Sequence, residues 1–257
     1  MKPKPHILVS NDDGIDAEGL YVLVKALKRF ANVSVVAPSI QQSAVGHAIT
    51  VRTPLRAHKF YRDGKLFGYA VDGTPADCVK LAIRTLLRAK PDLVISGIND
   101  GLNTAVNVIY SGTVSAATEG TILGIPSIAV SLESTRKPNF KPAAKIAISI
   151  AKFVCRESLP KDTVLNINVP ALPAAKIKGI MFTRQGRSRW DDEFFQRKDP
   201  RNRDYYWLAG KMQILDHEED VDQVALRHGY ISITPIHFDL THYKFLETMR
   251  AEWHVET

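Results

Sequence analysis

Over its first 170 or so residues the chain alternates two hydrophobic rhythms. Short runs of consecutive apolar residues mark buried strands, and between them apolar positions recur every three to four residues, as on one face of a helix. His6–Ser10 (HILVS) reads as a first buried strand. Leu20, Leu23, Val24 and Leu27 follow at helical spacing and predict a helix over about residues 17–30. Residues 33–37 (VSVVA) form a second strand closed by Pro38, and residues 50–71, with Asp63-Gly64 as a turn between β-type runs, read as an antiparallel excursion. Thr74-Pro75-Ala76-Asp77 has the chemistry of a helix start: Thr can cap, Pro is preorganised for the first turn, and Asp suits the positive end of the dipole. That helix is expected to reach about Leu87. A strand at 93–96, a polar loop at 97–107, a helix at 113–123 stopped by Gly124, a strand at 128–131, a helix from Pro142 to about Glu157 and a strand at 164–169 continue the series. Repeated βα units predict an α/β fold with one doubly wound, mostly parallel sheet.

From Lys178 the rhythm changes to β-type runs rich in charge and aromatics, including Trp190, Tyr205, Tyr206 and Trp207. The expectation is a single domain over 1–257, with a core over about 1–177 and a β-rich C-terminal extension used in oligomerisation. The extension lacks a complete layer pattern, so it should pack on another subunit. The Tyr205–Trp207 alternation suits a packed strand or interface better than base stacking.

Composition adds bounds. At 257 residues, 45% hydrophobic and 24% charged, the chain is of ordinary globular type and can bury one sizeable core. No apolar run approaches the roughly 18 residues of a membrane span, and the apolar stretch behind MKPKP is too short for a secretory signal, so a cytoplasmic protein without membrane association is expected. Cys78 and Cys155 both sit in helical apolar stretches and are expected to be buried, reduced thiols. The net charge of +7 is uneven: between Lys176 and Arg203 nine Lys/Arg face four Asp/Glu, which suits phosphate-rich ligands or simply a solvated basic loop.

Ligands of open α/β sheets bind at the carboxyl ends of the strands, so polar residues directly after strands carry the most weight. Three such places stand out: Ser10-Asn11-Asp12-Asp13-Gly14, the segment around Ser43, and Ser96-Gly97-Ile98-Asn99. Two adjacent carboxylates repel, and a shared cation is the usual way to hold both ionised; helix capping and turn formation before the helix at 17 are the alternative. Gly14 can supply the turn that lets Asp12 and Asp13 reach one ion. Gly14 and Gly19 have P-loop spacing, but Leu20-Tyr21 stands where Lys-Ser/Thr is required, and no GxGxxG follows the first strand. A phosphate cradle is better sought at Tyr110-Ser111-Gly112-Thr113-Val114, where hydroxyls and N–H groups open a helix, although a plain N-cap would call for the same Ser or Thr. His47 falls in a candidate site loop, though a structurally bonded or surface histidine is the plainer reading.

Several stretches together resemble the SurE family of survival-protein nucleotidases: ILVSNDDGI (7–15), DGTPADCVKLA (72–82), SGINDGLN (96–103), YSGTVSAATEG (110–120), LNINVPA (165–171), FTRQGRSRW (182–190) and GYISITPI (229–236). The resemblance implies a Rossmann-like core and a 5′- and 3′-nucleotidase acting on nucleoside monophosphates, in some members also on short polyphosphate. It implies one divalent ion per subunit, Mg²⁺ or Mn²⁺, with metal ligands at Asp12, Asp13, Ser43 and Asn99. Asp12, Asp13 and Asn99 are also the implied catalytic residues, and Asn103, Ser111, Gly112 and Thr113 the phosphate-binding ones. It further implies a homodimer or homotetramer that exchanges C-terminal segments, with no stable nucleic-acid partner. Two places depart from the family pattern. Ser39-Ile40-Gln41-Gln42 stands where a charged Asp-Arg-Asn type of stretch is frequent, and Val106-Asn107 where an acidic residue often precedes YSGTV. Two rival readings are kept. An aspartyl-phosphate phosphatase would attack through Asp12, but such enzymes show D-x-D spacing, which NDDG lacks. A nucleic-acid-binding module without turnover would use the basic 176–203 segment.

Overall fold

The structure is a computed structural model describing residues 3–253. Eleven strands and six α-helices follow in the order β1 (His6–Ser10), α1 (Glu18–Leu27), β2 (Asn32–Pro38), β3 (Ala57–Arg62), β4 (Lys65–Val71), α2 (Pro75–Leu81), β5 (Leu93–Asp100), α3 (Gly112–Ile122), β6 (Ser127–Leu132), α4 (Lys141–Glu157) and β7 (Thr163–Val169). Then come β8 (Ile180–Phe182), β9 (Arg189–Lys198), β10 (Asp204–Gln213), α5 (Asp222–Arg227), β11 (Ile231–His237) and α6 (Tyr243–Glu252). A nine-stranded sheet has the order β3-β4-β2-β1-β5-β6-β7-β11-β8, and β9 and β10 form a separate two-stranded ribbon.

Strand alternation builds the two helical layers. On β1, Ile7 and Val9 join Leu20, Leu23, Val24 and Leu27 of α1 and the alanine face of α4, while Leu8 between them joins Cys78 and Val79 of α2. On β5, Leu93 and Ile95 face the first layer and Val94 the second. The parallel strands are buried on both faces, which is why they read as continuous apolar runs rather than alternating ones. From β1 the chain winds outward through β2 to the β3–β4 hairpin, then crosses back through α2 to β5 on the other side of β1. The winding reverses between β1 and β5, the place where loops after the strands of an open α/β sheet diverge and ligands bind in the crevice between them.

The predicted α/β sheet is present, with element edges displaced by a few residues. The helix at 74–87 is α2 continued by a π-helical turn at Ala82–Leu86. β5 runs four residues past Ser96, so Asn99 lies on the strand end and not in a loop, and a 3₁₀ turn at Ala105–Tyr110 interrupts the expected polar loop. After residue 178 the sequence pattern gave only β-type runs, but α5 and α6 are helical. β11 pairs antiparallel with β7 and carries buried Ile231 and Ile233, so part of this segment is built into the main sheet. The Tyr205–Trp207 stretch alternates as a strand, yet all three rings are exposed in the described chain. The expectation of two buried thiols needs correcting: Cys78 is buried, with its thiol pushed well up by burial and by neighbouring Asp77, whereas Cys155 is exposed. Cys155 follows the buried Val154 on α4 and so turns away from the sheet.

The capping box at α2 forms as its sequence implies. Thr74 Oγ1 accepts from the Asp77 N–H at 3.1 Å, and Asp77 Oδ2 accepts from the Thr74 N–H at 3.0 Å. Thr74→Ala is therefore expected to lower unfolding stability by about 1–2 kcal/mol, read as a lower urea midpoint at unchanged slope.

Candidate functional site

A row of polar residues, buried except for the half-buried Asn99, runs across the sheet from β1. Ser10 on β1 pairs with Ser96 on β5, Asn99 on β5 pairs with Ser131 on β6, Ser131 with Asn168 on β7, and Asn168 with Ser232 on β11. Ser96 pairs with Ala129, and Asn99 with Ser131, so three residue steps on β5 face two on β6. This one-residue bulge gives Ser96 and Asn99 the same face although they are three apart. That face is the α2–α3 side, because Ser10 lies two residues from Leu8 and Ser131 two from Ala129, both packed toward these helices. Ser10 Oγ, Ser96 Oγ and Asn11 Oδ1 are buried without a hydrogen-bond partner.

Beyond Ser10 the chain turns sharply. Asn11 Nδ2 donates to the Gly14 carbonyl at 2.8 Å, and Gly14 has φ of 100°, a conformation that glycine adopts without a Cβ clash. Between them Asp12 is 7% exposed, and its Oδ1 accepts from the Thr113 hydroxyl. Burial, aided by the Asp13 charge, raises the Asp12 carboxyl from 3.8 to about 6, against the lowering effect of the Thr113 hydroxyl and N–H. Asp13 Oδ2 accepts from the Asp100 N–H at 3.1 Å; burial also raises this carboxyl, and the Asp100 charge adds to the effect. Neither Asp12 nor Asp13 has an ion-pair partner among the described residues. Close by, Asn99 Nδ2 donates to the Gly101 carbonyl at 2.8 Å, which leaves its Oδ1 as the free end. The loop after β2 is fastened to the same turn, with the Gln42 N–H donating to the Asp12 carbonyl at 2.7 Å and the Ile15 N–H to the Pro38 carbonyl at 2.8 Å. Ser43 is thus one residue beyond a direct contact with Asp12, exposed, its hydroxyl accepting from Gln41 at 2.9 Å.

The N-terminus of α3 closes the crevice. Ser111 caps it, its Oγ accepting from the Val114 N–H at 3.1 Å, so its own hydroxyl hydrogen stays available. A Cβ on Gly112 would lie 2.7 Å from Asp12 Cβ and 3.1 Å from Pro75 Cγ, so only glycine lets the helix end approach this carboxylate. Thr113, expected as a phosphate contact, gives its hydroxyl to Asp12. Asn103 is buried: its N–H donates to Asn168 Oδ1 at 2.8 Å, its Nδ2 to Ser131 Oγ at 2.8 Å, and its carbonyl accepts from Asn166 and Asn168. One Asn103 amide hydrogen remains for a ligand. Asn166, Asn168 and Ser131 were not singled out from sequence; their signal is polar residues inside otherwise apolar strand runs, which strands buried on both faces do not need for packing.

These residues fit a hard divalent cation. Two carboxylates raised by burial have no ion-pair partner among the described residues, the Asn99 amide oxygen and the Ser43 hydroxyl supply neutral oxygens, and all four are hard donors. No cluster of three or more His, Cys, Asp or Glu exists among the described residues, so a thiolate or imidazole cage is not on offer.

The Asp12 shift makes stability pH-dependent in metal-free protein. The folded carboxyl near 6 holds its proton more tightly than the unfolded one near 3.8, so its contribution is largest below about pH 4 and is lost as pH rises through about 6. The loss is at most about 3 kcal/mol. Asp12→Asn in chelator-treated protein is expected to raise the denaturation midpoint at pH 8 and leave it nearly unchanged at pH 4.

The profile of the Survival protein SurE family matches residues 7–192. A 5′-nucleotidase SurE from Chlorobium phaeobacteroides (strain DSM 266 / SMG 266 / 2430) is 47% identical over 253 residues, covering 98% of each chain. One from Syntrophus aciditrophicus (strain SB) is 51% identical over 251 residues, covering 97% of this chain and 94% of that one. The crystal structure of a SurE protein from Aquifex aeolicus matches with a TM-score of 0.83 at 44% identity, over 96% of this chain and 99% of its own. With a family match across most of the chain, full-length relatives near half identity and a solved structure of the same fold, this chain belongs to the SurE family.

Proposed function

We propose that this protein is a metal-dependent nucleotidase that hydrolyses the phosphomonoester of nucleoside 5′- and 3′-monophosphates, with short polyphosphate as a further substrate. The observation that carries the proposal is the buried Asp12 carboxylate, without a cationic neighbour, packed against the N-terminus of α3 beside Asp13. Relatives described as 5′-nucleotidase SurE support the substrate class. Asp12, Asp13, Ser43 and Asn99 would hold one divalent ion per subunit, Mg²⁺ or Mn²⁺. When bound, such an ion supplies Lewis-acid activation of water and of the phosphoryl group. Thr113 orients Asp12, which keeps the carboxylate aimed at one place in the crevice. The Ser111 hydroxyl, the Gly112 N–H at the positive end of α3 and the Asn103 amide would hold non-bridging phosphoryl oxygens, whose charge shifts during transfer.

The assay is phosphate release from a panel of 5′- and 3′-nucleotides with Mg²⁺, Mn²⁺ or a chelator. Turnover is expected with either metal and none with chelator, and Asp13→Asn should lower kcat by at least about a hundredfold while the fold is retained. Chelator-resistant release would reject the metal role, and salt-sensitive nucleic-acid binding without release would favour the binding module.

We further propose a homodimer or homotetramer, in the cytoplasm, built through the C-terminal segment. The β9–β10 ribbon exposes Trp190, Phe194, Phe195, Tyr205, Tyr206 and Trp207, and a two-stranded ribbon is marginal in water by itself. No helix among the described residues is long and apolar enough to cross a membrane. Sedimentation at micromolar concentration should show at least a dimer; a monomer would reject this assembly.

A further inference from the structure

The segment 43–50 starts at Ser43 and is fastened along most of its length. The Gly46 N–H donates to the Tyr110 carbonyl at 3.0 Å, and Thr74 Oγ1 to the Ala48 carbonyl at 2.7 Å. Thr50 donates from its N–H at 2.9 Å and its hydroxyl at 2.6 Å to the two oxygens of Asp77. In the middle, His47 Nε2 lies 2.9 Å from Glu119 Oε2. Glu119 is 2% exposed on α3, the helix that closes the crevice, and its other oxygen is 2.5 Å from Lys80 Nζ of α2. Burial pushes the Glu119 carboxyl up, but bonds from His47 and Lys80 outweigh it and hold the group below its ordinary range, hence charged.

Two features indicate that this contact sets geometry. Ala44 and Gly46 have φ of 55° and 58°, so the chain next to Ser43 is left-handed at a non-glycine residue. That conformation is sterically disfavoured for a residue with a Cβ and persists only where the surroundings impose it. Glu119 is buried but the His47 and Lys80 side chains that meet it are partly exposed; such pairs add little net stability, and their better-attested use is to select one arrangement. Of the two partners of Glu119, only His47 belongs to the segment that carries Ser43; Lys80 belongs to the α2 scaffold.

We infer that Glu119 is a positioning residue for the candidate metal site, acting through His47 to fix segment 43–50 so that Ser43 faces Asp12 and Asp13. The inference rests on the metal-site reading above. Three variants test it, by Mn²⁺ titration calorimetry and by hydrogen exchange of the metal-free protein. The His47 side chain is about one-third exposed (32%), so His47→Ala opens no core cavity. It should weaken Mn²⁺ binding about tenfold and speed exchange in segment 43–50, with β1 and β5 unaffected. His47→Gln, which can still donate to Glu119, should recover most of the affinity. Lys80→Ala should lower Tm and leave Mn²⁺ affinity at the wild-type value. Wild-type affinity or unchanged exchange in His47→Ala overturns the positioning role, as does an equal loss of affinity in Lys80→Ala. Asp12→Asn separates the two readings. If it keeps Mn²⁺ affinity, the metal site itself is wrong. If it loses affinity while His47→Ala does not, only the role of Glu119 fails.

Discussion

The constraint on which the site depends is a carboxylate held out of water without a cation beside it. Asp12 ends a sharp turn at the point where the sheet reverses its winding, and there the crevice, α2 and α3 converge on it. An unpaired buried charge is unfavourable, which is why its proton is held up to about pH 6. Thr113 and the open end of α3 offset part of that cost, and a divalent cation would offset the rest. Much of the nearby sequence can be understood as making room for this carboxylate: glycine at 112 because any side chain would strike Asp12, and glycine at 14 because the turn needs a positive φ.

A second layer of polar residues gives the crevice its shape. The row from Ser10 to Ser232 crosses five strands inside a sheet otherwise filled with Val, Ile and Leu. Such residues weaken packing in a core unless they find partners, and here Asn166 and Asn168 find theirs in the backbone of Asn103, whose side chain donates to Ser131. The loop that carries Asn103 is thereby held by the sheet and does not depend on its own turn. Buried Asp222 extends the grip, with Oδ2 accepting from the Ala105 N–H at 2.8 Å and Oδ1 from the Gly186 N–H at 3.2 Å. The crevice loops are therefore tied to the C-terminal third of the chain, so the segment after residue 178 is part of how the site is held.

Most of the fold was legible in the chain. The strands at 6–10 and 164–169 and the helices α1, α3 and α4 follow from apolar period, caps and stop signals, because a doubly wound sheet buries whole runs and punctuates them with glycine and proline. The α5 and α6 helices were not legible. α5 is only six residues long, and its apolar positions are not distinguishable from a strand run by period. The β-type runs of that region include β11, but local period does not tell a strand that joins the main sheet from one that stands in the separate ribbon.

By itself the sequence determined which residues stand near strand ends: Asp12 and Asp13 after the first strand, Ser43 after the second, Asn99 at the carboxyl end of the fifth, and the Ser111-Gly112-Thr113 helix start. Their residue types suit the proposed chemistry, and their places after apolar runs put them on one edge of the sheet. Only the tertiary structure decided how they are used. The bulge in β5 turns Asn99 onto the α3 face, the Thr113 hydroxyl points at Asp12, and Glu119 reaches back to His47 and so to the loop of Ser43. These relations depend on register and on contacts between residues 72 to 101 positions apart. Local hydrophobic period carries no information about either.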